Sequence, residues 1–217
     1  MKRMSDLSYI FRLAKEFKTG LAPYYPLIYS IVVGLETKYA FEFGTGASTG
    51  VILDALKETE GKLISCSTDP VRKVFESFSD ENKKLEHLNW THFPVVSDEA
   101  LQTIPEEIKF DFVLHDGSHS ADVVERDLLQ IVPRMKEYGV LLIHDVLHSY
   151  SGEGMIRGIK EGMEKAIDYR NFNDVTLPYA YGLGIITVHG KLNKKNGRVQ
   201  VTRNKQGSEH TTDLGLL

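Results

Sequence analysis

The feature that most constrains this chain is a glycine-rich turn, FEFGTGASTG from Phe41 to Gly50, set between a β-rich run and an amphipathic run. Gly44, Gly46 and Gly50 give the spacing G-x-G-x-x-x-G directly after a predicted strand, Tyr39 to Phe43, and into a predicted helix, Gly50 to Lys57. Missing side chains at such a turn let backbone N–H groups approach a ligand at a helix N-terminus. The spacing alone also fits a helix cap with incidental glycines. Charge separates the readings. Glu42 stands two positions before the first glycine, where a carboxylate repels a pyrophosphate and attracts an ammonium or sulfonium, an effect of about 1–4 kcal/mol at contact. Thr49 stands where the dinucleotide fingerprint wants glycine. Both observations favour S-adenosylmethionine over NAD as the cofactor of this turn.

Around the turn, short β-rich runs alternate with longer amphipathic ones, the pattern of a parallel sheet with helices on both faces. Helices are expected over Ser5 to Phe17, Pro26 to Leu35, Pro70 to Phe78, Ser120 to Met135 and Glu153 to Ile167. Further strands are expected at Leu63 to Ser67, Trp90 to Val96, Phe110 to His115 and Gly139 to His144, the last apolar enough to be buried on both faces. Asp174 to Leu177 and Gly184 to Val188 read as an antiparallel pair joined through Pro178 to Gly182. This organisation fits one domain over residues 1–190, with N-terminal helices in 1–37, and a polar extension over 191–217. The extension is expected at the periphery, with Arg198 to Val201 either pairing with a second subunit in a homodimer or hanging free.

In an open α/β sheet, ligands bind beyond the carboxyl ends of the strands. Acids recur there: Glu42, Asp69, Asp98, Asp116 and Asp145 follow the first five strands in turn. A crevice lined this way suits a cation, a ribose diol or a divalent metal. Asp69, 25 positions after Gly44, is placed to accept from ribose hydroxyls, or else simply turns the chain before Pro70. Ser97 and Asp98 either meet the adenine or cap a short helix. In LHDGSH, Leu114 to His119, Asp116 leaves a strand and His119 sits at a helix N-terminus, where the helix dipole is expected to lower its pKa and suit it as a neutral base. His144 and Asp145 end LLIHDV and, with Asp116, form a candidate set for Mg²⁺ or Mn²⁺, the imidazole being better suited to Mn²⁺ or Fe²⁺.

A net charge of −4 gives no basic face for nucleic acid, so none is expected as a partner. One cysteine, Cys66, rules out an intramolecular disulfide. No apolar run reaches membrane-spanning length. A cytoplasmic protein without a membrane partner is the expectation.

The segments FEFGTGASTG, STDP, HFPVVSDEAL, FDFVLHDGSHSADVVERDL and GVLLIHDV resemble the class I S-adenosylmethionine-dependent methyltransferases. The likeness runs from about Tyr39 to Val188 and is greatest to the small-molecule O-methyltransferase branch that includes cephalosporin-hydroxylase-like proteins. It implies a Rossmann-like seven-stranded sheet of order 3-2-1-4-5-7-6 with the last strand antiparallel. It also implies that Glu42, Gly44, Thr45 and Gly46, with Ser48 beside them, hold the methionine part of the cofactor. Asp69 would then hold the ribose, Ser97 or Asp98 the adenine edge, and Asp116 and Asp145 a metal. Ser67 occupies one alignment of the ribose-binding acid, and His144 stands where catechol-type relatives carry a carboxylate.

The expected reaction is methyl transfer to a hydroxyl of a small-molecule acceptor. Asp116, His119, His144 and Asp145 are the catalytic candidates: either a metal lowers the acceptor's pKa, or His119 or His144 takes the proton. An NAD(P)-dependent oxidoreductase and a non-catalytic cofactor-binding module are the rival readings.

Overall fold

The computed structural model describes residues 10, 14–15, 20–69, 89–147, 161–163, 165–166, 173–188, 191–195 and 198–202. Helix α1 (Tyr25–Gly34) leads into β1 (Tyr39–Phe43), followed by α2 (Ala47–Thr59), β2 (Lys62–Cys66), β3 (Trp90–Phe93), α3 (Ser97–Thr103), β4 (Phe110–His115), α4 (Ala121–Ile131) and β5 (Met135–His144). Strands β6 (Asn173–Leu177) and β7 (Leu183–Thr187) complete a seven-stranded sheet of order β3-β2-β1-β4-β5-β7-β6. Strands β1 to β5 pair in parallel, and β7 is antiparallel to both β5 and β6. This is the Rossmann-like sheet expected from the sequence.

Alternation along the strands builds two cores. Phe41, Ile64, Val113, Leu141 and Ile143 face one side, packing with Val124, Leu128 and Ile131 of α4. Ala40, Leu63, Phe112, Leu114 and Leu142 face the other, packing with Ile28 and Val32 of α1 and Val51, Ile52 and Ala55 of α2. Burial on both faces explains why these strands read as apolar runs rather than alternating ones.

Several boundaries differ from the sequence expectation. Helix α4 stops at Ile131 and passes through a 3₁₀ turn, Val132–Arg134, because Pro133 supplies no N–H and its ring crowds the preceding turn. Strand β5 therefore starts at Met135, with a register shift opposite Phe110 to Phe112. Strand β3 ends at Phe93, before Pro94 interrupts the ladder. Arg198–Thr202 (β9) pairs antiparallel with Lys191–Lys195 (β8) of the same chain, the partner the sequence had left open between a second subunit and none. The helices expected at 5–17 and 70–78 lie outside the described residues, apart from residues 10, 14 and 15. The one expected at 153–167 is helical at the few positions described.

Candidate active site

Strand order reverses between β1 and β4, and the site lies above that point. Gly44 takes φ +84°, and a Cβ there would lie 2.1 Å from the Asp116 carbonyl oxygen. Only glycine allows the β1 turn and the β4 turn to approach so closely. Asp116 N–H donates to the Phe43 carbonyl at 3.0 Å, and Gly44 N–H to the Cys66 carbonyl at 2.9 Å, so the ends of β1, β2 and β4 are tied together.

Glu42 acts inside this turn. It is completely buried; Ser48 Oγ donates to its Oε1 at 2.6 Å and Thr49 Oγ1 to its Oε2 at 2.5 Å. Thr49 Oγ1 also accepts from Gly46 N–H at 3.0 Å, closing a cap on α2. Burial pushes the Glu42 carboxyl up to about 8 against the lowering by the two hydroxyls, with Asp116 adding to the rise. The carboxylate that the sequence set against a cation is thus an interior clamp, mostly protonated at neutral pH.

A carboxyl whose pKa is raised by folding stabilises the fold below its unfolded value near 4.5, and that contribution is lost as pH rises through about 8. Glu42→Gln should therefore melt above the unaltered chain at pH 9, with the gap closing toward pH 5. Parallel melting curves across that range check it.

The cleft beyond the turn has a volume of about 500 Å³, the size of small-molecule sites. Its wall includes Gly44, Thr45, Ser67, Asp69, Ser97, Asp116, Arg126 and Asp127. Of the cofactor candidates, Gly44, Thr45, Asp69, Ser97 and Asp116 line it, and Glu42, Gly46, Ser48 and Asp98 do not. Ser48 is spent on Glu42, and the Asp98 carboxylate accepts from Gln102 at 3.1 Å and Gln130 at 2.7 Å. Three carboxyl groups, Asp69, Asp116 and Asp127, face one guanidinium, Arg126, so the wall remains acid-rich without Glu42.

Asp127 was not singled out from the sequence, because it falls on the buried face of a predicted helix. It is 2% exposed, accepts from Ser97 Oγ at 2.6 Å and lies 3.3 Å from Nε2 of the equally buried His115. A buried acid in an amphipathic helix was the available signal, since such acids need partners.

Next to the cleft, and sharing Asp116 with it, sits a cluster of Asp116, His119, His144 and Asp145. His144 Nε2 lies 3.2 Å from the Ala180 carbonyl, which can only accept, so Nε2 carries hydrogen. That leaves Nδ1 facing Asp116 Oδ1 at 3.0 Å and Asp145 Oδ1 at 3.2 Å. The Ala180 carbonyl is aimed by a turn in which Ala180 and Tyr181 both have positive φ, as hairpin turns of the I′ type require. Burial works to lower the His144 pKa, but the two carboxylates raise it to about 10.

His119 Nε2 lies 2.7 Å from Asp145 Oδ2. That contact raises its pKa against the opposing effect of burial, the reverse of the lowering expected from its place at a helix N-terminus. A charge-assisted hydrogen bond, ~1.5–3 kcal/mol, outweighs a helix-end dipole of ~0.3–1 kcal/mol. Burial would raise the Asp145 carboxyl, but His119 and His144 together hold it far below the usual carboxylate range. Asp145 adopts φ +61°, a left-handed conformation, and its buried Oδ1 lies 3.2 Å from His144 Nδ1 without hydrogen-bond alignment.

The ligand atoms of Asp116, His144 and Asp145 lie within 4.8 Å of one another. The convergence of Asp145 Oδ1, Asp116 and His144 Nδ1, with the Ala180 bond turning that nitrogen inward, fits a divalent cation held by two carboxylates and one imidazole.

Residues 41–146 match the family described as a methyltransferase domain. No curated protein sequence matches the chain. Among solved structures, the chain is similar to the O-methyltransferase TomG from Streptomyces achromogenes, involved in tomaymycin synthesis and solved in complex with SAM. Identity is 18%, with 87% of this chain and 92% of that one covered and a TM-score of 0.61. It is also similar to an O-methyltransferase from Bacillus cereus in complex with SAH, at 14% identity, 87% and 92% coverage and TM-score 0.59. The SAH-bound methyltransferase PaMTH1 from Podospora anserina follows at 12% identity, 84% and 88% coverage and TM-score 0.58. At such identities the structural likeness speaks for the fold. Family match and sheet order agree: residues 41–146 carry a methyltransferase domain, built on the Rossmann-like sheet shared with solved methyltransferases that hold SAM or SAH.

Proposed function

We propose that the protein methylates a hydroxyl oxygen of a small-molecule acceptor, with a divalent metal held by Asp116, His144 and Asp145. The observation that carries the reading is the two-sided use of Asp145: Oδ2 meets His119, while the buried Oδ1 lies 3.2 Å from His144 Nδ1. One carboxylate can thus orient a base and contribute to a metal site together.

S-adenosylmethionine supplies the methyl group as an electrophile. The chain's work is then mostly alignment of acceptor oxygen and methyl carbon, the kind of pre-organisation that removes a large entropic barrier. On this reading Asp69 accepts from the ribose hydroxyls and the Gly44–Thr45 turn approaches the methionine part, which their position in the cleft wall supports. With Nε2 directed at Asp145, His119 presents Nδ1 to take the acceptor's proton, the orientation logic of a histidine held by a buried carboxylate. His144, with both nitrogens engaged and its pKa raised to about 10 by the two carboxylates, is a poor base at neutral pH; as a metal ligand it would use Nδ1 without its proton. A metal would lower the pKa of the acceptor hydroxyl, and with an imidazole among its ligands Mn²⁺ suits it better than Mg²⁺. The acceptor proton leaves to His119 as the carbon–oxygen bond forms and the carbon–sulfur bond breaks.

Incubation with S-adenosylmethionine labelled in its methyl group and a set of small hydroxylated compounds tests this. Label should reach oxygen in at least one acceptor, fall by about 100-fold or more on exhaustive chelation, and return with Mn²⁺. Transfer unaffected by chelation would remove the metal and leave His119 alone as the proton acceptor.

A further inference from the structure

We propose that His92 is a positioning residue for the cofactor cleft, strapping the glycine turn to the loop that carries Asp69. His92 lies in β3, the strand at one edge of the sheet, and does not line the cleft. Its ring nevertheless touches two residues that do, Thr45 and Asp69. Nε2 lies 3.1 Å from the Asp69 carbonyl oxygen, and Nδ1 lies 3.1 Å from Thr45 Oγ1 and 3.2 Å from Ser65 Oγ.

Hydrogen bookkeeping assigns one form of the ring. The Asp69 carbonyl accepts only, so Nε2 carries the hydrogen. Trp90 Nε1–H donates to Ser65 Oγ at 2.9 Å, and Ser65 is wholly buried, so the Ser65 hydroxyl hydrogen is directed to His92 Nδ1. Nδ1 is therefore an acceptor and the ring is neutral. Burial, which lowers the His92 pKa against the raising effect of the Asp69 carbonyl, agrees with this form.

The function of such a strap follows from where its ends lie. Thr45 and Asp69 follow the adjacent strands β1 and β2, and both line the cleft. Holding the Asp69 loop in place before the ligand arrives removes an ordering cost from binding. Ser67 Oγ contributes by accepting from Asp69 N–H at 3.0 Å. The inference rests on reading this cleft as the S-adenosylmethionine site, with Asp69 at the ribose.

Two variants divide the strap. His92→Asn keeps an acceptor near Nδ1 and cannot reach the Asp69 carbonyl; His92→Gln extends an amide N–H toward that carbonyl. Calorimetry with S-adenosylhomocysteine and with its 3′-deoxy analogue reads the ribose contact separately from overall folding. His92→Asn should bind S-adenosylhomocysteine about tenfold more weakly and the 3′-deoxy analogue nearly as well as the unaltered chain does. His92→Gln should restore most of the loss. Equal losses for both ligands, or none, overturn the strap while leaving the cofactor reading intact. Absence of binding by the unaltered chain overturns both. Nitrogen NMR of the unaltered chain supplies a check that needs no variant: the proton belongs on Nε2 of His92, and a proton on Nδ1 contradicts the proposal.

Discussion

Gly44→Ala should weaken S-adenosylhomocysteine binding by about 100-fold or more and lower the melting temperature by about 10 °C. Two costs combine at this position. An alanine at φ +84° loses ~1–2 kcal/mol to left-handed backbone strain. Its Cβ would also fall 2.1 Å from the Asp116 oxygen and 2.6 Å from the Asp116 carbonyl carbon. Both are backbone atoms, and relief requires the β1 and β4 turns to separate. That separation displaces Asp116, which lies in both the cleft wall and the cluster. Gly46→Ala is the matched control. A Cβ there meets nothing closer than the Gly44 oxygen at 3.9 Å, and its φ of −165° is open to any residue, so binding should stay within about threefold. Calorimetry and thermal melting of the two variants side by side check the contrast.

Asp145→Ala should lower methyl transfer by about 1,000-fold and leave S-adenosylhomocysteine affinity within about threefold. The split follows from place: Asp145 touches His119 and His144 and does not line the cleft. Its removal frees His119 from its orientation and takes away one of the three candidate metal ligands. Alanine also has to adopt the left-handed backbone that aspartate holds at φ +61°. Asp145→Asn separates these effects, because asparagine tolerates that conformation and keeps a polar partner for His119 while losing the charge. If the asparagine variant is as slow as the alanine one, charge at Asp145 carries the effect; full turnover in either would remove Asp145 from the chemistry.

The sequence was most informative where a single periodicity or a single steric demand decides the outcome. Apolar runs such as LLIH read as strands covered on both faces, and the family resemblance implied the sheet order found. Gly44 was legible because a turn after a strand needs its backbone freedom. What the sequence could not show were contacts between distant residues. His119 looked like a histidine governed by a helix end until Asp145, 26 positions later, was seen at 2.7 Å. Glu42 looked like a ligand for a cation, but Ser48 and Thr49, on the first turn of the next helix, draw it inward. Asp98 and Asp127 show the same limit in opposite directions. The acid at the strand end turns to Gln102 and Gln130, while the acid on the apolar face of α4 reaches the cleft. His92 was not singled out from the sequence, because its partners Thr45, Ser65 and Asp69 lie far from it along the chain.

The cleft above β1 and β4 is expected to bind S-adenosylmethionine, and titration calorimetry of the unaltered protein with S-adenosylhomocysteine measures this. One ligand per chain, with a dissociation constant on the order of micromolar, is the predicted result. No heat at millimolar ligand, or saturable binding of a nicotinamide dinucleotide instead, would contradict it.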